Sequence, residues 1–463
     1  MRRFLFRLIL VLALGSGVGF YVSNTRSEIF SLEILQPTKF LGRTAEFDAT
    51  IRAPNTEFIK LEVLIEQGGV STLLFSLEQP GSSRFEQISE DKIRISHTFN
   101  HTAYPTLHTG PGTISLTASI PTFFGFRERT AEVRTDIEIR FELPEVTVLS
   151  QFHHVNHGGA EFILYQVSPV DSSSGVVVGN QEYQGYSVPR NNNSPDAGIR
   201  AAYFALLAEQ DFNTPFNIFA RDPAGNETRV SFNHRRFPRN FRRSQIQVDN
   251  AFLRRVMPEM IERVPDLADE DSDVSNQELL DLYLFINGEL RRRNRAALVT
   301  LSDKTASWMS WEDGFRQLIN SQVESGFADH RTYLYQGNEI DQQIHLGFDL
   351  ASTANAPIQA ANKGRVIYSD YLGIFGNCVV IDHGMGLQTL YAHLSSINVQ
   401  NGDVVMKDHE IGRSGQTGLA GGDHLHFSTL LAGRPVSPVE WWDDHWIEDR
   451  VFRKIRALEV TLP

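Results

Sequence analysis

Three short stretches toward the C-terminal end of the chain carry residues that could bind a metal ion and move protons. They are His345-Leu-Gly-Phe-Asp349, Tyr-Ala-His393-Leu and His424-Leu-His426. Two imidazoles and a carboxylate can hold a tetrahedral Zn²⁺ and leave its fourth position to water, which distinguishes catalytic zinc sites from structural ones. The remaining imidazoles could then accept or donate protons near neutral pH. Together the three stretches predict a zinc hydrolase.

Side-chain periodicity indicates which of these residues can converge. Residues at i, i+2 and i+4 of a strand share a face, so His424 and His426 are expected to point the same way. His345 and Asp349 share a face if their segment is extended, and the same spacing would bring them together on a helix. Gly347 and the Ala-Ser-Thr-Ala-Asn-Ala-Pro sequence that follows disfavour the helix. Either geometry yields a pair of metal ligands.

The order of the motifs, His-x-x-x-Asp, then Tyr-Ala-His-Leu, then His-x-His, resembles that of the lysostaphin/LytM-type zinc endopeptidases. The resemblance covers roughly residues 327–440. It extends to glycine-containing segments between the motifs, at 376–384, 401–404 and 411–418. Three motifs in the same order and at similar spacing make this resemblance specific.

The resemblance implies that His345, Asp349 and His426 bind Zn²⁺, and that His393 and His424 act as catalytic histidines. Zinc would lower the pKa of its bound water and polarise the scissile carbonyl, while the imidazoles would take up a proton and stabilise the oxyanion. The sequence does not tell which histidine is the general base.

Other residues with possible chemistry have structural interpretations. Cys378 lies in an apolar segment and is expected to be a core thiol. A turn is expected at His383 and a solvated loop at 153–157, whereas His330 could approach a substrate. Ser428 stands where relatives often carry an acid, on the same strand face as His426, which bears on the hydrogen bonding of that ligand.

Two all-β units precede these motifs. Apolar and polar residues alternate over 28–144, between turn sequences such as Gln-Gly-Gly and Pro-Gly, which predicts a β-sandwich of half-buried antiparallel strands. A second β unit is expected at 145–237. Its last hairpin, at 217–232, resembles the closing hairpin of bacterial immunoglobulin-like domains and contains Pro, Gly and Asn in the turn.

A helical connector is predicted at 238–325, where the apolar period changes. Asp249 is expected to cap one helix, and Ser275-Asn-Gln-Glu a second one through a capping box. The sequence at 326–445 predicts a compact, antiparallel β zinc endopeptidase domain. Residues 446–463 are expected to form a C-terminal tail. The predicted fold class is therefore multidomain and mainly β, with two immunoglobulin-like units, a helical connector and a C-terminal metallopeptidase domain.

Two basic runs flank the connector, at 235–243 and 291–295. Solvated helix ends are their simplest interpretation, because cations are favoured at a helix C-terminus. The alternative is contact with an anionic surface or polymer of the cell envelope.

The N-terminal segment at 1–27 places arginines before an apolar run at 8–22, near the lower length limit for spanning a bilayer. It predicts export to the cell envelope, with an uncleaved membrane anchor favoured over a removed signal peptide and the bulk of the chain outside the cytoplasm.

Net charge and cysteine content limit the partners and the sources of stability that this protein can have. A formal net charge of −13 over 463 residues argues against nucleic acid as a partner. The single cysteine allows no intrachain disulfide, so stability must come from packing and metal.

The favoured hypothesis is a zinc-dependent endopeptidase that hydrolyses peptide bonds in the stems or cross-links of bacterial peptidoglycan, a substrate class implied by the resemblance. The alternative is a non-enzymatic envelope regulator that uses the same domain to bind and activate a cell-wall amidase. Known regulators of that kind have lost metal ligands, whereas this chain keeps them. Adhesion through the immunoglobulin-like units could coexist with catalysis.

Overall fold

The computed structural model describes residues 30–53, 58–122, 126–188, 198–267 and 275–458. Strands dominate these residues, which confirms a mainly β protein. The predicted membrane anchor at 1–27 lies outside the described residues. Within the described part of the chain, none of the helices combines the length and apolarity needed to cross a membrane.

Two compact units make up the chain: Met1–Pro144 with Arg221–Glu227, and Glu145–Ala220 with Thr228–Pro463. The finer division into six segments stays a prediction.

The first unit is built from nine strands. They are β1 (Ser31–Gln36), β2 (Phe40–Leu41), β3 (Thr44–Arg52), β4 (Lys60–Gln67), β5 (Val70–Ser76), β6 (Arg84–Ser89), β7 (Lys92–Asn100), β8 (Gly110–Thr122) and β9 (Arg127–Ile139). One sheet has the strand order β1-β3-β7-β6 and the other β2-β9-β8-β4-β5. Both sheets contribute to one apolar core, as Phe47, Ile95 and Leu116 show. The alternation predicted from the sequence is seen in β4, where every second residue is buried.

The second unit begins with ten short strands. They are β10 (Glu145–Val148), β11 (His153–Asn156), β12 (Ala160–Ser168), β13 (Ser173–Val178), β14 (Gln181–Gln184), β15 (Tyr186–Ser187), β16 (Ile199–Ala205), β17 (Phe216–Arg221), β18 (Glu227–Ser231) and β19 (His234–Phe237). They form the sheets β10-β12-β16-β15, β14-β13-β17-β18 and β11-β19. The solvated loop expected at 153–157 is wrong, because His153 is buried in β11 and its Nε2 lies 2.9 Å from Ser150 Oγ.

The predicted connector contains a strand, β20 (Arg243–Val248), and three helices: α1 (Asn250–Arg263), α2 (Asn276–Phe285) and α3 (Arg291–Ser302). A further strand, Gln322–Ser325, lies at its C-terminal end. The Asp249 side chain accepts the Phe252 N–H and caps α1, as predicted, and the capping box at Ser275 is present at the start of α2. A π-helical turn, Ile286–Leu290, joins α2 to α3.

The C-terminal domain is a set of antiparallel sheets. Its strands are β21 (Gln322–Ser325), β22 (Asp329–Tyr335), β23 (Asn338–His345), β24 (Phe348–Ala351), β25 (Pro357–Gln359), β26 (Gly364–Tyr371), β27 (Asn377–Gly384), β28 (Leu387–Leu394), β29 (Ser396–Ile397), β30 (Val404–Val405), β31 (Glu410–Arg413), β32 (Leu425–Leu431) and β33 (Arg434–Val436).

The main sheet has the order β21-β24-β32-β28-β27-β26-β30, with β33 paired to β32. Two smaller sheets have the orders β20-β22-β23 and β25-β31-β29. Strand β20 runs parallel to β22, so a strand of the predicted connector completes a sheet of this domain. The predicted connector and the C-terminal domain therefore share a sheet.

Short helices follow the last strand: α4 (Pro438–Trp441), α5 (Asp444–Ile447) and α6 (Arg453–Ala457). A π-helical turn, Glu448–Phe452, joins α5 to α6. This part of the predicted tail packs inward, since Val451 of the turn is buried and Lys454 Nζ of α6 lies 2.8 Å from the buried Glu161 carboxylate. Trp441 packs edge-on against Tyr203 of β16. The β strands at 145–237 and the C-terminal domain thus share one core.

His383, predicted to lie in a turn, is a buried residue of β27. Its Nδ1–H donates to the Lys363 carbonyl at 2.7 Å, and its Nε2 lies 2.8 Å from Thr389 Oγ1. Burial lowers the pKa of His383 to about 4. The folded protein therefore holds this imidazole neutral at pH values where the unfolded chain protonates it.

We predict that His383 makes the second unit less stable as the pH falls from about 6.5 to about 4, because the unfolded state takes up a proton that the folded state excludes. Over this window the free energy of unfolding of the wild type should fall relative to that of His383→Gln by an amount on the order of 3 kcal/mol. Urea denaturation followed by tryptophan fluorescence measures it, since all 5 tryptophans lie between 308 and 446. Parallel pH profiles for the two proteins would contradict this prediction.

Candidate metal and active site

The structure brings His345, Asp349 and His426 together from three strands. Asp349 in β24 and His426 in β32 are directly paired residues of neighbouring strands, and His345 ends β23. The chain turns from β23 into β24 at Gly347, where a Cβ atom would lie 2.5 Å from the His426 imidazole. His345 and Asp349 therefore lie in two successive strands with Leu346 and Gly347 between them, and the segment is neither a helix nor one continuous strand.

Three ligand atoms meet at one point. His345 Nε2 lies 2.9 Å from Asp349 Oδ1, His426 Nδ1 lies 3.0 Å from the same oxygen, and the two nitrogens are 3.0 Å apart. All three residues are buried or nearly so. We refer to these three residues as the ligand cluster.

Hydrogen bonds behind the ligand cluster fix which nitrogen faces it. His345 Nδ1–H donates to the Gly326 carbonyl at 3.1 Å, so its Nε2 presents a lone pair. His426 Nε2 lies 3.1 Å from Ser428 Oγ, whose own proton goes to the Leu346 carbonyl. Because that hydroxyl accepts from Nε2–H, His426 Nδ1 is also left as a lone pair. Ser428 thus accepts the hydrogen bond that orients the His426 ring.

Ionisation of the ligand cluster suits a cation. Burial opposes the charge of Asp349, yet the surrounding imidazoles hold the pKa of its carboxyl well below the usual range. Burial lowers the pKa of His426 to about 4, so its imidazole is neutral at pH 7. Two nitrogen lone pairs and one anionic oxygen therefore face each other.

These atoms fit a zinc ion. Ligand atoms bound at about 2.0–2.2 Å in a tetrahedron lie roughly 3.3–3.6 Å apart, close to the separations in the ligand cluster. Two imidazole nitrogens with one carboxylate oxygen are also a donor set that catalytic zinc sites use, with the fourth position left for water. The ligand cluster is therefore the candidate metal site.

Arg331 of β22 holds the second oxygen of the ligand carboxylate. Its Nη2 donates to Asp349 Oδ2 at 2.8 Å and to Ser325 Oγ at 2.7 Å. Oδ1 is thereby left to face the imidazoles, so the carboxylate offers a single oxygen to a metal. Arg331 was not predicted as a site residue from the sequence. The available signal was strand alternation, which places Arg331 and His330 on opposite faces of β22.

His393 and His424 lie beside the ligand cluster, as the motifs predicted. The centroids of their two imidazole rings are 4.9 Å apart. His393 Nδ1–H donates to the Thr417 carbonyl and His424 Nδ1–H to the Gly422 carbonyl, both at 2.8 Å, so each ring turns Nε2 away from those loops. His424 Nε2 lies 3.5 Å from Asp349 Oδ1.

The environments of these two imidazoles differ. Burial holds the pKa of His393 well below its usual value. Burial also opposes the charge of His424, but the Asp349 carboxylate outweighs it and raises the pKa of His424. His393 has a backbone φ of 63°, in the left-handed region that non-glycine residues rarely adopt. Such strain is common at functional sites.

The five residues line one cavity of about 330 Å³. Part of its wall comes from the predicted connector, including Val248, Phe252, Tyr283 and Arg291. Helix α1 also holds the loop before His424: its Arg255 donates to the Gly421 carbonyl at 2.8 Å, and its Glu259 accepts the Gly418 N–H at 3.0 Å. The connector is thus part of the site.

The other candidates lie outside this cavity. His330 lines a separate pocket with Arg243 and Arg295 and stacks on Phe241. Cys378 is fully buried in β27, where burial raises the pKa of its thiol, so it is the core residue that the sequence predicted.

Residues 343–438 match the model of Peptidase family M23, which confirms the predicted resemblance for this part of the chain. Two curated relatives are the DD-carboxypeptidase/endopeptidase Mpg of Neisseria meningitidis and the peptidoglycan DD-endopeptidase ShyA of Vibrio cholerae. Mpg is 38% identical over 97 residues, and ShyA is 38% identical over 96. Each match covers 21% of this chain and 22% of the relative. The chain therefore spans about a fifth of the length of these relatives.

Similar solved structures include the catalytic domain of lysostaphin from Staphylococcus simulans, at 25% identity and a TM-score of 0.25, covering 28% of this chain and 98% of that one. A zinc-containing peptidase from Vibrio cholerae has 14% identity and a TM-score of 0.27, covering 71% of this chain and 80% of that one.

We predict that Arg331→Met weakens zinc binding by about tenfold to a hundredfold, because the freed carboxylate no longer holds one oxygen toward the imidazoles. Competition with a chromophoric chelator measures the affinity. His330→Ala, one residue away on the opposite face of β22, serves as the control and should bind zinc like the wild type. Equal affinities for wild type and Arg331→Met would show that the arginine does not position Asp349.

Proposed function

We propose that the C-terminal domain is a zinc-dependent endopeptidase that hydrolyses peptide bonds in the stems or cross-links of bacterial peptidoglycan. The observation that carries this proposal is the ligand cluster, in which two imidazole nitrogens and one carboxylate oxygen meet about 3 Å apart at the wall of a cavity. The match to Peptidase family M23 over 343–438 supports the reaction class.

In this proposal His345, Asp349 and His426 hold the Zn²⁺ ion. When bound, zinc supplies a Lewis acid and lowers the pKa of a water molecule at its open position. The Asp349 carboxylate would offset only one of the two positive charges of Zn²⁺, and neutral imidazoles would offset none, so the loaded site would keep a net positive charge that favours an oxyanion. Ser428 and Arg331 keep these side chains oriented.

His393 and His424 are the proposed catalytic residues. Each imidazole has its Nδ1–H committed to a backbone carbonyl, which leaves Nε2 to exchange a proton with water or to donate to a developing oxyanion. The opposite directions of their pKa shifts suit two different tasks, one neutral acceptor and one protonated donor.

The substrate class is proposed from the relatives, among which ShyA and ShyB of Vibrio cholerae are named peptidoglycan DD-endopeptidases. The alternative, a regulator that binds and activates a cell-wall amidase, has no need of a metal site. A ligand cluster with complete hydrogen bonding behind it favours the enzyme.

We further propose that the protein works in the cell envelope, outside the cytoplasm. The predicted anchor at 1–27 would tether it to the membrane, and the β units at 28–144 and 145–237, proposed as immunoglobulin-like, would place the catalytic domain near the wall.

We expect zinc-loaded full-length protein to release muropeptides from purified peptidoglycan, and His345→Ala to lose at least about a thousandfold in rate, because metal catalysis contributes several kcal/mol to the barrier. Mass spectrometry identifies the products. His409→Ala removes an exposed histidine of the same domain and should keep full activity. Chelation should abolish activity, and added zinc should restore it.

The outcome that would overturn the enzyme is the absence of zinc-dependent product from the wild type. Stimulation of a purified wall amidase by wild type and by His345→Ala alike would then favour the regulator.

A further inference from the structure

Arg291 lies in the wall of the cavity that contains the ligand cluster. It is the first residue of α3 and belongs to the second basic run, where the sequence predicted solvated helix ends. That interpretation holds for its neighbours Arg292 and Arg293, which are exposed and pair with Glu289 one turn back. For Arg291 it is wrong, because the side chain is half-buried and turned toward the cavity.

Neutral groups hold the Arg291 side chain in place. Nε donates to the Asn287 carbonyl at 3.0 Å and Nη2 donates to Asn287 Oδ1 at 2.6 Å. Asn287, in the π-helical turn, is itself fixed because its Nδ2 donates to Asp341 Oδ2 at 2.7 Å. The guanidinium is therefore preorganised without being neutralised.

Within the described ranges, no carboxylate lies at ion-pair distance from Arg291. Arg331, the other arginine of the cavity, is already paired with Asp349. The remaining carboxylate of the lining belongs to Glu324, which is exposed. Burial lowers the pKa of Arg291, but a guanidinium stays protonated at neutral pH.

A half-buried cation without a counter-ion is unfavourable until a ligand supplies one. The N–H groups of the Arg291 guanidinium that Asn287 does not accept can still donate to a carboxylate, and such charge-assisted pairs are stronger than neutral hydrogen bonds. Peptidoglycan stem peptides carry free carboxylates beside their peptide bonds. The cavity, at about 330 Å³, has the size of an ordinary small-ligand pocket, so one ligand can reach both the ligand cluster and Arg291.

We propose that Arg291 binds a carboxylate of the peptide residue that adjoins the scissile bond, which makes the connector a substrate-recognition element of the site. This inference rests on the proposed peptidoglycan endopeptidase function.

The test compares cross-linked muropeptide dimers whose stem carboxylates are free with the same dimers after amidation. Zinc-loaded full-length wild type should prefer the free form by about tenfold to a hundredfold in kcat/KM, as expected for one charge-assisted hydrogen-bonded pair. Arg291→Gln should lose this preference, mainly through KM. Arg291→Lys should retain part of it, and Arg292→Gln, which changes an exposed neighbour, should behave like the wild type.

Two results would overturn the inference. One is a wild type that does not distinguish the free from the amidated dimer. The other is an Arg291→Gln variant that slows both substrates equally and has a lowered Tm, since that combination indicates a purely structural role. Unchanged zinc content in Arg291→Gln separates substrate binding from an effect on the metal.

Failure of the proposed function has a different signature, in which the wild type cleaves neither dimer. Calorimetric titration of the metal-free chain with each intact dimer then still tests Arg291. Tighter binding of the free form, lost in Arg291→Gln, supports the carboxylate site, and equal binding of both forms rejects it.

Discussion

The two oxygens of the Asp349 carboxylate connect the elements that make up the site. Oδ1 faces His345 Nε2 and His426 Nδ1, and Oδ2 accepts from Arg331. This arrangement requires a corner at Gly347 tight enough for β24 to pair with β32 directly after β23 ends, and a side chain there would collide with the His426 ring. The local backbone, the sheet pairing and the hydrogen bonds behind the ligands together therefore fix the position of the Asp349 carboxylate.

The connector takes part in this arrangement, since β20 extends the sheet that carries Arg331 and α1 binds the loop that precedes His424. An element that appeared to be a linker in the sequence thus supplies part of the cavity wall. It also brings in Arg291, which has no carboxylate at ion-pair distance among the residues that the structure describes. The same segment therefore holds the loop before His424 and supplies a cation to the cavity wall.

The sequence predicted the site better than the surroundings of the site. Motif order was enough to group five residues that the structure brings to one cavity, because side chains of these types at this spacing can converge on one metal ion. Period-two alternation and helix capping also predicted the strands of the first unit and the starts of α1 and α2. Arg331 and Arg291 were missed, since their roles depend on pairings between segments distant in the sequence. The burial of His153 and His383 likewise depends on packing partners that local pattern does not reveal.

We propose that one zinc ion is held by two imidazoles and the Asp349 carboxylate, with a position left for water. Zinc-edge X-ray absorption on the zinc-loaded protein measures this coordination directly. We expect one zinc per chain, with about four nitrogen and oxygen ligands at about 2.0–2.1 Å and the outer-shell signal of two imidazoles. A shell of about six oxygens, or an outer-shell signal from one imidazole or three, would contradict it.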